Sequence, residues 1–509
     1  MRNIRTVNSR CSVRIYHFKK QILGDGSSVS DQEITDADVI DIASEDNVVV
    51  SFDYDKQIDN ASGTFNITLL PTKNWLNLVR SGDWISIYLS QDGSTDKAVR
   101  CLGNIDRVSQ VEVINNDGRS LITYQISGRD FGKMFEKYSV WFNAYSPEVA
   151  AQQVLLESTF PVVGSTKDIL TKLIDVFMGG ALEQQVAAKG IADSTIDALR
   201  IPPQLAEDFG GFSFQDISDQ FGPTTIVFQL TPTTVKFGDI LVKNFDDVPG
   251  YKPTSSANLN VGPLWNMFNQ YGNRSVNEIF TELIKNKDGL MVPALTLRVY
   301  PFTDKDFSSP SGFESIRKFE ELDTVEITGD DILGTNIGVA DHERFNLFFL
   351  YGDVPSAQGN YETALYSKPQ INSASIKRYG LNAYIVSTSF MASTESEFAP
   401  ETLKGWNDLI KHWFLENANL DSGTIQIVGN QNVRVGKRLF IKNAKTHNNK
   451  EFYIEGYSDS WSYPSGMWVQ TLQVTRGKVF TDNKAKLDIE VGKSGTDIPG
   501  TSVVKTGRV

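Results

Sequence analysis

The sequence predicts a mainly β (α+β) protein, with two similar antiparallel β-barrel domains plus helical and mixed insertion domains between them. Three observations predict it. First, the chain says nearly the same thing twice: SGTFNI (62–67) precedes VRSGDWISI (79–87), and SGTIQI (422–427) precedes VRVGKRLFI (433–441). In each copy Ser-Gly-Thr opens an alternating strand and Val-Arg-x-Gly precedes another. The echo continues more loosely from CLGNIDRVS (101–109) to FYIEGYSDS (452–460), and from YQISGRDFGK (124–133) to TLQVTRGKVF (471–480). Second, apolar and polar residues alternate with the period of a half-buried strand: Phe65, Ile67 and Leu69 against Thr64, Asn66 and Thr68, then Ile85, Ile87 and Leu89 against Ser86 and Tyr88. Third, 30 Phe, 17 Tyr and 8 Trp in a chain that is 40 % hydrophobic is the composition of a soluble, β-rich protein. At 509 residues the chain is too long for one ordinary core.

Residues 1–140 are expected to hold the first barrel, with short strands between 48 and 127. VEVI and LITYQI flank NNDGRS, a hairpin with Asp117-Gly118 at its tip. GRDFGKMFEKY then reads as a short helix burying Phe131, Met134, Phe135 and Tyr138. Residues 141–270 read as a partly helical insertion domain: Ser146-Pro147 and Ser165 start two helices, the second carrying Ile169, Leu170, Leu173, Ile174 and Phe177. Gly179-Gly180, Pro202-Pro203, Gly210-Gly211 and PTSSANLN (253–260) punctuate it into loops. Residues 271–320 form a mixed α/β connecting segment, in which Ser275 and Glu278 spell a capping box. A helix carrying Ile279, Phe280, Leu283 and Ile284 should run from there to Gly289, with LTLRVYPF as the next strand. The second barrel is placed at 321–480, where 325–352 reads as strand, short helix and strand. A long helix at about 400–417 lines up Leu403, Trp406, Ile410, Trp413 and Asn417. Residues 481–509 lose their aromatics and read as an extended C-terminal tail.

The formal net charge of −13 argues against a surface that grips nucleic acid. It suits an ordinary acidic cytosolic protein, which is the reading net charge alone favours, as well as it suits a passage through which DNA slides, where an acidic wall repels phosphate. Cys11 and Cys101 offer no disulfide framework, and buried unpaired thiols are expected. The basic start MRNIRTVNSRCSVRIYHFKK lacks the apolar stretch of a secretory signal, and no later run reaches the length of a membrane span.

No catalytic constellation emerges, and no catalytic, cofactor-binding or metal-ligating residue is assigned. His17, His342, His412 and His447 lie far apart, outside HExxH or any Cys pair, and read as surface or satisfied core residues. Gly492-Lys493-Ser494 resembles the end of a phosphate loop, but Leu487 stands where the first glycine belongs, so a tail is the better reading. VINNDGRS places Val113 where a calcium loop needs its first carboxylate. Asp330-Asp331 and Glu320-Glu321 could serve a glycosidase only if they faced each other across a cleft, and solvated turn carboxylates are the plainer reading. No GxSxG elbow is present. Trp461 and Trp468 flank the turn SYPSG, where they could stack on a sugar, although core or interface packing is commoner.

Taken in order, VRSGDWISIYL, CLGNIDRV, YQISGRDFGK, SVNEIFTELI, LTLRVYPF, ASIKRYG (374–380) and SGTIQIVGNQNVRVGKRLFI, then EFYIEGYSDSW and VQTLQVTRG, carry a family resemblance. The chain resembles the baseplate or tail hub proteins of contractile-tailed bacteriophages, which are related to late-control proteins and to the hub-like part of type VI secretion spikes. The resemblance implies two tail-tube-like barrels per chain and a homotrimer presenting six similar units. Such a trimer would be a structural adaptor between a sixfold tail tube and a threefold central spike, forming part of the DNA channel. It implies a virion protein of the tail baseplate, assembled in the host cytoplasm. Its partners would be the tail tube and central spike proteins, with the tape measure and baseplate wedge proteins as further candidates. DNA would pass without specific binding, and no cofactor or enzymatic activity is implied. This sequence lacks a lysozyme or peptidase segment, and its 141–270 block departs from the family's outer domain. The rival readings are a peptidoglycan- or polysaccharide-degrading tail enzyme and a carbohydrate-binding β-protein using Trp461 and Trp468.

Overall fold

A computed structural model describes residues 8–19, 37–91, 98–140, 202–209, 225–227, 262–299, 322–339, 344–352, 368–388 and 399–479, apart from short breaks within them. The described chain is mainly antiparallel β-structure with a few helices. The expected helices of 146–177 and the tail of 481–509 lie outside the described residues.

The first half of the chain supplies β1 (Arg10–Phe18), β2 (Ala37–Ile42), β3 (Val49–Gln57), β4 (Thr64–Leu69), helix α1 (Trp75–Leu78), β5 (Trp84–Ser90), β6 (Ala98–Ile114) and β7 (Ser120–Asp130). Helix α2 (Lys133–Lys137) follows and buries Met134 and Phe135, with Phe131 buried just before it. The short strands β8 (Ser139–Val140), β9 (Thr225–Val227) and β10 (Gly262–Pro263) flank helices α3 (Pro203–Asp208) and α4 (Leu264–Tyr271). Then come β11 (Asn277–Lys285), β12 (Met291–Val299), β13 (Thr324–Thr328), β14 (Ile332–Gly338), β15 (Leu347–Gly352) and β16 (Gln370–Ile371). The remainder is α5 (Ser373–Tyr379), β17 (Ala383–Thr388), α6 (Ala399–Phe414), β18 (Asp421–Val428), β19 (Arg438–Lys442), β20 (Lys450–Ser462) and β21 (Met467–Val479).

Thirteen strands make one sheet whose main path runs β14-β18-β21-β20-β3-β4-β7-β6-β5-β1-β2, with β13 and β19 attached through β20. Within it the same four-strand unit occurs twice. β14-β18-β21-β20 repeats β3-β4-β7-β6, and the two copies share two of their irregularities, the second copy having further ones between Asp421 and Gly423 and between Glu451 and Tyr453. The ladder from β3 to β4 breaks between Val49 and Ser51, as that from β14 to β18 breaks between Ile332 and Gly334. The ladder from β6 to β7 breaks between Ile105 and Arg107, as that from β20 to β21 breaks between Ile454 and Gly456. The Val-Arg-x-Gly turns match as well: Gly82 N–H donates to Ile105 O and Gly436 N–H to Ile454 O, both at 2.8–2.9 Å, while Ile105 and Ile454 N–H donate back to Asp83 and Lys437 O. Gly82 and Gly436 sit at φ +98° and +76°, a region that a Cβ disfavours.

These registers correct the sequence alignment of the two copies. Phe65 pairs with Gly128, which pairs with Ile105; Gly423 pairs with Val474, which pairs with Ile454. Phe65 is therefore equivalent to Gly423, and Ile67 and Leu69 to Ile425 and Ile427, so the shared Ser-Gly-Thr is displaced by two residues between copies. A shift of two keeps every side chain on its face, which is why the alternating pattern tolerated it. The looser pair YQISGRDFGK and TLQVTRGKVF is displaced by one, since Ile126 is equivalent to Leu472.

Two expected helices are strands. The stretch from Ser275 toward Gly289 contains β11, paired along its whole length with β12. Its apolar residues at 279, 280, 283 and 284 mimic helical spacing because both faces of the strand are buried, from Asn277 at 0 % exposure to Leu283 at 3 %. The buried Glu278 accepts from Tyr453 Oη at 2.6 Å, and Glu282 accepts from Val435 N–H. The short helix expected within 325–352 is β14, held by its ladder to β18. Before it, Asp331 caps a turn by accepting from Thr328 N–H and Oγ1. The long helix does form, as α6, with Ile410 and Trp413 buried and Asn417 buried just beyond it.

One core cluster runs through both units, joining Phe52, Ile67 and Ile126 to Ile425, Trp461 and Leu472. The strand β11 bolts the halves together. Its Thr281 accepts from Lys56 Nζ at 2.7 Å and donates to Ala61 O in the first unit, while its two glutamates bond the second.

Candidate functional site

Strand alternation gives the eight-strand path from β14 to β6 one apolar face, packed into the core, and one polar face. β3 contributes Ser51, Asp53 and Asp55, and β4 contributes Thr64, Asn66 and Thr68. β20 contributes Ser458, Ser460 and Ser462, while β21 adds Thr471 and Gln473. β7 places Gln125, Ser127 and Arg129 in the same rows. Hydroxyl and amide side chains dominate, and the charges in these registers nearly cancel: Asp53 and Asp55 against Arg107 and Arg129. Arg129 also pairs with Asp106 at 2.9 Å and with Glu136, so the balance around this face leans toward the carboxylates. Asp53 accepts from Ser460 Oγ at 2.8 Å across the joint between the two units, and partial burial pushes the Asp55 carboxyl up. A wall of this kind offers phosphate hydrogen bonds but no cationic surplus.

Beneath that face lies a set of buried ion pairs. Arg100 and Asp459, both fully buried, meet at 2.8 Å, with the guanidinium over the Tyr457 and Trp468 rings. Lys56 and Asp130 meet at 2.7 Å, and Tyr54 Oη donates to the same carboxylate at 2.9 Å. Burial pushes the Tyr54 and Tyr457 hydroxyls well up, keeping them as donors. Each charge has a partner, as burial demands. None of these pairs opens onto a cleft as a catalytic acid and base would.

Trp461 and Trp468 pair across β20 and β21, 5 % and 1 % exposed, and donate to Ser9 O and Asp459 Oδ1. They form no sugar-stacking platform. His17 bonds Asp83 at 2.8 Å, His412 is exposed on α6, His447 packs against Phe452, and His342 lies outside the described residues. Asp330-Asp331 belongs to a turn, while Glu320-Glu321 is outside the described residues, as are Leu487 and Gly492-Lys493-Ser494. Cys11 and Cys101 are free and buried, and burial pushes both thiols up. Among the described residues no group of His, Cys, Asp and Glu is placed to hold a metal ion. A cavity of about 320 Å³ lies between α6 and the sheet, but its carboxylates Asp59, Glu278 and Glu455 are bonded to Arg274, Tyr453 and Thr475.

No protein-family model matches the chain, and no curated protein sequence matches it. Solved structures do show similarity. A tail protein from Neisseria meningitidis MC58 is 12 % identical over 92 % of this chain and 96 % of that one, with a TM-score of 0.39. The 43 kDa tail protein of prophage MuSo2 from Shewanella oneidensis is 10 % identical over 92 % and 98 % of the two chains, with a TM-score of 0.43. The E. coli c3393 protein is 8 % identical over 86 % and 75 %, with a TM-score of 0.38. It is described as a component of the type VI secretion system, structurally similar to the T4 bacteriophage tail proteins gp27 and gp5. Similarity of this degree assigns no family.

Proposed function

We propose that this chain is a structural hub of a contractile phage tail baseplate: a homotrimeric adaptor between a sixfold tail tube and a threefold central spike, enclosing part of the DNA channel. The observation that carries the reading is the repeated four-strand unit, joined head to tail within one chain where β20 pairs with β3. Two equivalent units per chain and three chains make six units, so the assembly offers sixfold contacts to the tube and threefold contacts to the spike. The polar, nearly neutral sheet face supports a lumen through which DNA slides. The tail tube and central spike proteins are the direct partners in this reading, with tape measure and baseplate wedge proteins adjoining, and the protein is a virion component. Nothing in the role requires turnover of a substrate. The test is light scattering and electron microscopy of the protein purified with its tube and spike neighbours. A ring of about 170 kDa, three times 56.7 kDa, is the expected outcome. A stable monomer in the presence of both neighbours would sink the reading.

A further inference from the structure

The motif ASIKRYG (374–380) has no part in the hub reading, and it stands in a small unit of its own. β15 lies between β16, which is antiparallel to it, and β17, which is parallel. Helix α5 crosses from β16 to β17 past the start of β15, where Asn372 N–H donates to Asn346 O and Asn346 Nδ2 donates to Gly380 O at 2.7 Å. One face of this sheet is ordinary core. Phe348 and Leu350 are buried, Tyr384 packs on Phe414 of α6 at 4.3 Å between ring centres, and Asn407 of α6 donates to Phe348 O. The opposite face is just as apolar. β15 places Leu347, Phe349 and Tyr351 on it, with Ile371 beside Leu347 and Ile385 beside Phe349 in the ladders. Tyr351, Ile371 and Ile385 are 39 %, 54 % and 57 % exposed, and Leu381, just before β17, is 64 % exposed. Parallel strands occur almost only where helices cover both faces of their sheet, and these exposures leave this face uncovered.

The charge around the face sets the character of its occupant. Residues 344–352 and 368–388 carry Arg344, Lys368, Lys377 and Arg378 and no Asp or Glu, in a chain whose net charge is −13. Two of these cations crowd one corner: the Arg344 and Arg378 guanidiniums lie 3.8 and 5.2 Å from the centre of the exposed Tyr379 ring, close in sequence to Lys377 and Leu381. Lys377 and Arg378 complement the C-terminal end of α5, but Arg344, which precedes β15, adds its charge to the same corner from another element. Like charges gathered in this way favour an anionic neighbour. We propose that this face docks an amphipathic α-helix of another protein, whose apolar stripe lies over Phe349, Ile371 and Ile385 and whose Asp and Glu residues border Arg344, Lys377 and Arg378. The docked helix completes a helix–sheet–helix sandwich with α6. A helix of about 14 residues is about 21 Å long, which matches the roughly 20 Å of the six-residue β15. The aliphatic centre of the face gives a phosphate backbone nothing to bind, so the occupant is a helix rather than nucleic acid. The surface does not require the hub reading.

Fluorescence anisotropy of the full-length protein with labelled peptides tests the surface. The probe is a peptide of about 18 residues with Leu at i, i+3, i+4 and i+7 spacing and Glu on both flanks; a scrambled form and a Lys-flanked form are the comparisons. The ordered acidic peptide should bind about tenfold more tightly than either comparison, or better. Ile385→Asp should weaken it by about tenfold or more while leaving the melting temperature unchanged, because that side chain is exposed. Lys377→Glu with Arg378→Glu should turn the preference toward the Lys-flanked peptide. Equal binding of the scrambled peptide would overturn the docking face and leave only a cationic patch. The absence of saturable binding up to about 1 mM peptide would overturn it as well. So would retention on anionic phospholipid vesicles or on duplex DNA without peptide binding. An Ile385→Asp variant that breaks up the chain's own oligomer in light scattering would also overturn it, since the occupant is then a second copy. The hub reading is tested separately, by the mass of the ring that the wild type forms with its tube and spike neighbours.

Discussion

Gly82 and Gly436 hold equivalent turns at positive φ, and each donates its N–H to the strand that follows the next turn. A side chain at either position is strained by its own backbone, since no neighbour stands within 4 Å of a Cβ at Gly82. Replacing either with Val is expected to cost about 1–2 kcal/mol or more, read as a fall in the urea midpoint without a change of slope. Arg100 and Asp459 set a larger stake, because both are fully buried. Asp459→Ala leaves the guanidinium without its carboxylate and should destabilise by about 3–5 kcal/mol in equilibrium unfolding. A loss below about 1 kcal/mol would contradict the geometry. The two cases differ in legibility. Val-Arg-x-Gly could be read from the sequence because a turn is local and leaves a short signature. The Arg100–Asp459 pair spans 359 positions and leaves no pattern in either flank.

At the scale of elements, strands whose residue types alternate were legible and the one that does not alternate was not. β4 alternates with one face buried, and β5, though almost wholly buried, alternates through Ser86 and Tyr88, so the phase of both is visible; β11 is buried on both faces and its apolar spacing imitates a helix. β1, with Cys11, Val13 and Ile15 buried, lies before the segment from which strands were read. The two-residue displacement between the copies is illegible for the opposite reason: alternation repeats every two residues and cannot report such a slip. The hairpin of β6 and β7 carries a pH-dependent element. Burial pushes the Asp106 carboxyl up, but hydrogen bonds from Arg129 and Lys133 outweigh it and hold the group below its ordinary value. A depressed carboxyl stabilises the fold above the unfolded-state value, and that contribution is lost as pH falls through the folded-state value. The difference in urea midpoint between the wild type and Asp106→Asn should therefore be largest near about pH 6 and shrink toward about pH 3. A difference that grows on acidification would contradict the ion pairs.

Across the whole molecule, the net charge of −13 speaks only for the total, and only the ladders show which residues share a face. In the hub reading Ser127 and Ser460 point into the lumen, and a ring of three chains with Ser127→Lys and Ser460→Lys gains six cations there. The unmodified ring should retain DNA with almost no salt dependence. The substituted ring should show log K falling with log salt by a slope of up to about −5 for duplex DNA. Steep salt dependence in the unmodified ring would contradict passive passage.

The ladder between β20 and β3 joins Ser462 to Ser51, and so sets an order of events during synthesis. The edge of β3 that β20 will occupy emerges early, and its partner is translated about 400 residues later. At about 5–20 residues per second that interval is on the order of 20–80 s. Throughout it the nascent first unit displays an open edge shaped for a copy of its own kind. Neighbouring nascent chains on one message are then competitors for β3. The nascent chain must be sheltered, or β20 must arrive faster than a neighbour can, before β20 and β3 of each chain find one another.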